Sequence, residues 1–184
     1  MADARPWYRE PETFIAVAAL VVSISAVAVG LYEAALQRRH DRAEVWPHVE
    51  VTTFTSTNGA TLSVENTGIG PALIKSIVVT VDGKRTRDWN EVLTTLLGHT
   101  PPQPFSNSTI SESALRPGNR VTILGMPNAD MPPQFWNAFG RVGLAICYGS
   151  VFDEFWQLSD SSIGHRTRWA RVDHCPAPSE EQDF

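Results

Sequence analysis

Any chemistry in this chain has to come from a short set of residues. The first candidate is the loop Asn66-x-Gly68-x-Gly70-Pro71, whose glycine spacing is that of a phosphate-binding turn. Such a turn works by aiming backbone N–H groups at the anion, with the positive end of a helix behind it. Here no Lys-Ser/Thr pair follows, and Pro71 leads into a run rich in Ile and Val that reads as a strand. The glycines then have a conformational explanation. Gly68 and Gly70 are expected to supply positive φ, and Asn66 to bond its own backbone.

The remaining reactive types are equally sparse in pattern. His40, His48, His99, His165 and His174 are scattered, and His165, His174 and Cys175 match no zinc-module spacing. Ser150, Ser161 and Ser162 lack the G-x-S-x-G setting of an activated serine. Asp153 and Glu154 are adjacent, so on a strand they would face opposite sides, and a hairpin turn accounts for them better. Asn107-Ser108-Thr109 fits a glycosylation sequon and nothing more. We therefore assign no catalytic residue, no metal ligand and no cofactor-binding residue, and the chain reads as a non-enzyme. Its two cysteines, Cys147 and Cys175, cannot build a disulfide framework. One bridge is open to them, while Cys147 in the apolar segment Val142–Tyr148 suits a buried inert thiol.

The elements that would position these residues begin with the segment Phe14 to Leu31, eighteen apolar or small residues without a charge. That matches the roughly 20 residues needed to carry a helix across a bilayer core. A secretory h-region is shorter, about 7–15 residues, and follows an acid-poor basic stretch. Here Asp3, Glu10 and Glu12 are mixed with Arg5 and Arg9, and the Ala26–Ala28 triplet lies inside the run. The organisation expected is a flank over 1–13, a transmembrane helix over 14–32, a helical stalk over 33–46, a β-sandwich over 47–160 and a flexible tail over 161–184. Trp7, Tyr8 and Tyr32 read as interfacial anchors. Ala19, Ser23, Ala26 and Gly30 recur at three- and four-residue spacing, a seam along which two such helices could pack closely. The lipid bilayer, another protein and a second copy of the chain are thus the expected partners. A net charge of −5 excludes a general nucleic-acid binder, which needs a basic face. The cluster Lys84, Arg85, Arg87 is bracketed by Asp82 and Asp88, and reads as a solvated turn. Arg38, Arg39 and Arg42 outnumber Arg5 and Arg9 by one, which tips the soluble part toward the cytoplasmic side of a single-pass inner-membrane protein.

From His48 onward the apolar period becomes two. Val49, Val51 and Thr53 alternate up to a turn at Thr57-Asn58-Gly59, and Leu62 and Val64 continue a second strand. Ala72–Val81 is the strongest strand and ends at Asp82-Gly83, a hairpin pair. Asp88 can cap a helix over Trp89–Leu97 that Gly98 closes. Arg116-Pro117-Gly118-Asn119 turns into Arg120–Leu124, and Arg141–Tyr148 with Asp153–Leu158 reads as a closing hairpin. Short strands at this spacing predict a mainly β chain: an antiparallel immunoglobulin-like sandwich with a short lid helix. Phe135, Trp136 and Phe139, in a Pro-marked insertion, are candidates for partner contact or for packing the open end of the sandwich.

The stretch Val64-Glu65-Asn66-Thr67-Gly68-Ile69-Gly70-Pro71-Ala72, preceded by Trp46-Pro47, resembles a group of bacterial membrane-anchored proteins without an assigned activity. The Leu115-Pro117-Gly118 turn and the Tyr148-x-Ser150…Trp156 ending are similar to the same group. The resemblance implies one N-terminal helix and an immunoglobulin-like sandwich, and brings no activity with it. The expected function is a membrane-tethered interaction module. The competing expectation is a ligand sensor or enzyme with a site in loops 100–113 and 126–139, and a third is a structural subunit of a membrane complex.

Overall fold

The computed structural model describes residues 11–56, 59–99, 105–127, 138–160, 163, 167–177 and 184. The chain divides into two units, one running to Ala43 and one from Glu44 to Phe184. Among its described residues the first is a single α-helix, α1 (Pro11–Glu44). Pro11 sits in the first turn, where its missing N–H leaves no bond unmade, and Glu12 complements the positive end of the helix. No proline interrupts the helix before Pro47, which forces the residue ahead of it out of helical geometry. Within the apolar run the two serine hydroxyls are already used: Ser23 donates to the Ala19 carbonyl and Ser25 to that of Val21, both at 2.8 Å. The helix is long and apolar enough to cross a membrane, and none of its apolar stretch is buried among the described residues. Trp7, Tyr8, Arg5 and Arg9 lie outside those residues.

The second unit is built of antiparallel strands. β1 (Val49–Ser56) and β2 (Gly59–Asn66) form a hairpin in strict register from Val49↔Asn66 to Ser56↔Gly59, with Thr57 and Asn58 outside the described residues. β3 (Ala72–Val81) turns through Asp82 and Gly83, both at positive φ, into the two-residue β4 (Lys84–Arg85). Helix α2 (Trp89–Leu97) follows, then the short β5 (Ser106–Asn107) and β6 (Ala114–Leu115). β7 (Arg120–Pro127), β8 (Val142–Gly149), β9 (Phe155–Asp160) and β10 (Arg168–Val172) complete the order. One sheet runs β1-β2-β7-β5, the other β10-β9-β8-β3-β4, with β6 also on β3.

Period-two alternation supplies the core. Val142, Leu144, Ile146 and Tyr148 of β8 pair across to Val81, Val79, Ile77 and Ile74 of β3, and all eight are buried. Val49, Leu62 and Val64 of the other sheet belong to the same apolar cluster. α2 closes over it with Trp89, Val92 and Leu93 buried. The Asp88 carboxylate accepts from the Glu91 N–H at 2.8 Å, and Gly98 ends the helix in the left-handed region at φ 74°.

Three expectations change here. The tail from 161 is expected to be loose, yet Arg168–Val172 pairs with β9 in register and Phe184 is buried edge-on against Trp89, ring centroids 5.2 Å apart. Trp169 is the large apolar residue of this strand, and the arginines around it, with Arg171 on its own face, leave no period-two pattern to read. Gly68 and Gly70 do not have positive φ, and their role is different, as described below. Cys147 is buried as expected, but it is not a free thiol: it is joined to Cys175.

Candidate functional site

At one end of the β unit, Asn66 organises four chain segments. Its side-chain oxygen accepts from the N–H of His48 at 3.2 Å and of Gly68 at 3.0 Å. Its amide nitrogen donates to the carbonyls of Gly70 at 2.8 Å and Leu115 at 2.9 Å. The backbone adds bonds to Asn119 and Gly118. A fully buried amide must find partners for both ends, and here every group is satisfied. Only an amide, with two acceptor sites and two donors, fits two N–H groups and two carbonyls at once.

This hub holds the segment Val45–His48 against the loop. The Trp46 carbonyl accepts from Ile69 and Gly70, and the His48 carbonyl from Thr67. The approach is too close for any side chain. A Cβ on Gly70 would lie 1.8 Å from the Val45 carbonyl oxygen, and one on Gly68 would lie 2.3 Å from the His48 nitrogen. The glycines are therefore required by backbone contact, and no phosphate cradle exists at this loop, because the space in front of it is filled by protein.

The segment so placed carries an aromatic stack. Trp46 and His48 stand 5.1 Å apart between ring centroids, as do His48 and Trp169. Trp169 donates its indole N–H to the Val49 carbonyl at 2.9 Å, tying the edge strand β10 to the edge strand β1 of the other sheet. Glu50 lies 3.5 Å from the His48 ring. Both indoles remain accessible, Trp46 at 46% and Trp169 at 43%, and Ile69 beside Trp46 is also exposed. Large rigid rings of this kind, half-exposed and held in place, suit contact with another macromolecule. Beneath them Tyr148 is buried, its oxygen 3.4 Å from the Val49 N–H and its ring stacked on Trp156. Burial pushes the Tyr148 phenol above its ordinary range, against a smaller opposing effect of the Val49 N–H.

A second feature lies on the far side of the β8 sheet. Cys147 faces away from the core, paired with Ser76 and Gln157, and the segment after β10 crosses it to form the bridge with Cys175. That strap walls a cleft of about 480 Å3 together with Leu73, Lys75, Glu112, Ala114 and Phe155. At the opposite end, Arg141 donates to the exposed Asp82 carboxylate; that hydrogen bond holds Asp82 below the usual carboxylate range and, with the Asp82 charge, holds Arg141 above its ordinary value.

The residues singled out from sequence fall apart in space. Ala19, Ser23, Ala26 and Gly30 share one face of α1 by spacing, with the Ser23 hydroxyl committed within the helix. Phe139 is 6% exposed and belongs to the core, which is the packing alternative; Phe135 and Trp136 lie outside the described residues, as do His165, Ser161 and Ser162. Asp153 occupies the β8–β9 turn at φ 56°, and Glu154 pairs with Arg171 at 2.8 Å. The Ser150 hydroxyl accepts from the N–H groups of Phe152 and Glu154. Among the described residues no cluster of three His, Cys, Asp or Glu side chains could hold a metal ion. Sequence reasoning misses Trp169, and it counts His48 only as one of five scattered histidines. The available signal was period-two placement of Trp169, which puts it on the same face as Leu158, its partner in β9. Comparison with protein-family models, with curated proteins and with solved structures finds no match to this chain.

Proposed function

We propose that this protein is a membrane-tethered interaction module. α1 anchors the chain in the inner membrane as a single span, and the β unit is an immunoglobulin-like sandwich that binds another protein. One observation carries the reading: the apolar stretch of α1 has no cover among the described residues. Burying an apolar side chain is worth about 1.5–3 kcal/mol, so a run of exposed Phe, Ile, Leu and Val calls for lipid around it. Two antiparallel sheets sharing one core support the sandwich. The half-exposed Trp46 and Trp169, locked by His48 and the Val49 carbonyl, are the surface assigned to the protein partner.

The anchor is tested by carbonate washing of membranes carrying the full-length chain. Retention in the pellet is expected. Val22→Arg, at the middle of the run, should cost about 2.5–3.5 kcal/mol of insertion free energy and shift protein to the soluble fraction. A wild-type chain that is soluble and shortened by some thirty residues would make α1 a cleaved signal sequence instead. Partner binding is tested by crosslinking in membranes, where Trp46→Ala and Trp169→Ala should each lose a crosslinked product that His174→Ala retains.

A further inference from the structure

The Cys147–Cys175 bridge bears on which side of the membrane the β unit occupies. The arginine count across α1 differs by one and decides little: Arg38, Arg39 and Arg42 against Arg5 and Arg9. The bridge is more informative. Cys147 is on β8, an interior strand of its sheet, and is 2% exposed. What lies over it is the strap from Asp173 to Ala177, in which Asp173, His174, Pro176 and Ala177 are all exposed. A segment that polar and exposed gains little by lying on a sheet, so the covalent bond is what lays it over β8. With two thiols in place of the bridge, the strap and one wall of the neighbouring cleft would have no tether at this point.

We infer that the β unit is held on the oxidising, extracytoplasmic side of the membrane, with the N-terminus inside. Cytosolic thiols are kept reduced, so the bridged arrangement belongs to a compartment where disulfides form and persist. The chemistry balances with a disulfide-carrying oxidant of that compartment. The two thiols lose two protons and two electrons, the S–S bond between Cys147 and Cys175 forms, and the oxidant's own disulfide is left as a dithiol. The chain has only these two cysteines, so no mispaired isomer competes. Burial of Cys147 shields the product from exchange, which marks the bridge as structural and not as a thiol switch.

The inference rests on α1 as an anchor, and one experiment separates the two. The full-length chain is produced in bacterial cells, and spheroplasts are treated with external protease. In parallel, membranes are carbonate-washed, denatured and labelled with a maleimide polymer before and after reductant. The expected result is a carbonate-resistant chain, cut by external protease, that gains two polymer additions only after reduction. A carbonate-resistant chain that is protected from protease, or labelled without reductant, overturns the assignment. A shortened chain released by carbonate overturns the anchor instead. If that released chain is bridged, the oxidising compartment stands; if it carries free thiols, both fail.

Discussion

A single amide, Asn66, joins the loop, the segment leading into β1 and the strand β6. Asn66→Asp keeps its shape but sets an acceptor, and at neutral pH a charge, against the carbonyls of Gly70 and Leu115. Leaving buried carbonyls facing a carboxylate should cost about 3 kcal/mol or more. Gly70→Ala and Gly70→Val should cost as much by steric conflict with Val45, whereas His174→Ala, exposed on the strap, should be neutral. Thermal unfolding of the full chain in mild detergent, followed by tryptophan fluorescence, checks the series; equal midpoints would refute the backbone-contact account. Tyr148 makes a pH prediction. Its phenol is raised in the folded state, so its contribution to stability is whole below the unfolded value of about 10 and is lost as pH rises through the folded value. Urea midpoints should fall steeply above about pH 10 in the wild type and less so in Tyr148→Phe. A parallel decline in both would show that another group governs the alkaline limb.

Among the elements, α2 was the most legible. Asp88, the spacing of Trp89, Val92 and Leu93, and Gly98 are local signals, and local signals suffice for a short capped helix. β10 was illegible because an edge strand needs only one partner, and on the face that carries Trp169 the next residue is Arg171, which pairs with Glu154, so no apolar alternation builds up. α1 leaves its association open to test. With the Ser23 and Ser25 hydroxyls bonded to Ala19 and Val21, any helix pairing has to rest on close packing. Ala26→Leu and Gly30→Leu should weaken association in bilayers by separating the backbones, and Val22→Leu and Val29→Leu should leave it unchanged. Energy transfer between labelled chains measures this, and equal losses on and off the seam would dismiss it.

For the whole molecule, the bridge closes a loop of 28 residues in sequence separation, containing β9 and β10, which corresponds to about 3.5 kcal/mol of restricted unfolded-chain entropy. Replacing both Cys147 and Cys175 by serine should lower stability by up to that amount, and the wild type under reductant should match the variant. A variant as stable as the oxidised wild type would mean that β10, Trp169 and Phe184 hold the C-terminal segment unaided.

What depends on near neighbours is legible in the residues alone: the apolar helix, the turn at Asp82-Gly83, the cap of α2 and the alternation of β3 and β8. It also carried the Asn66–Pro71 motif, but with the wrong cause. A glycine needed for positive φ and one needed because another backbone passes within van der Waals distance are written with the same letter. The choice between them falls to the packing of the chain, which threads Val45–His48 through that space. The stack of Trp46, His48 and Trp169 and the bridge from Cys147 to Cys175 are of the same kind. Trp46 and His48 are near neighbours, but Trp169 is 121 positions from His48 and Cys175 is 28 from Cys147, and such partners are chosen by the order of strands in the sheets, to which local periodicity is blind.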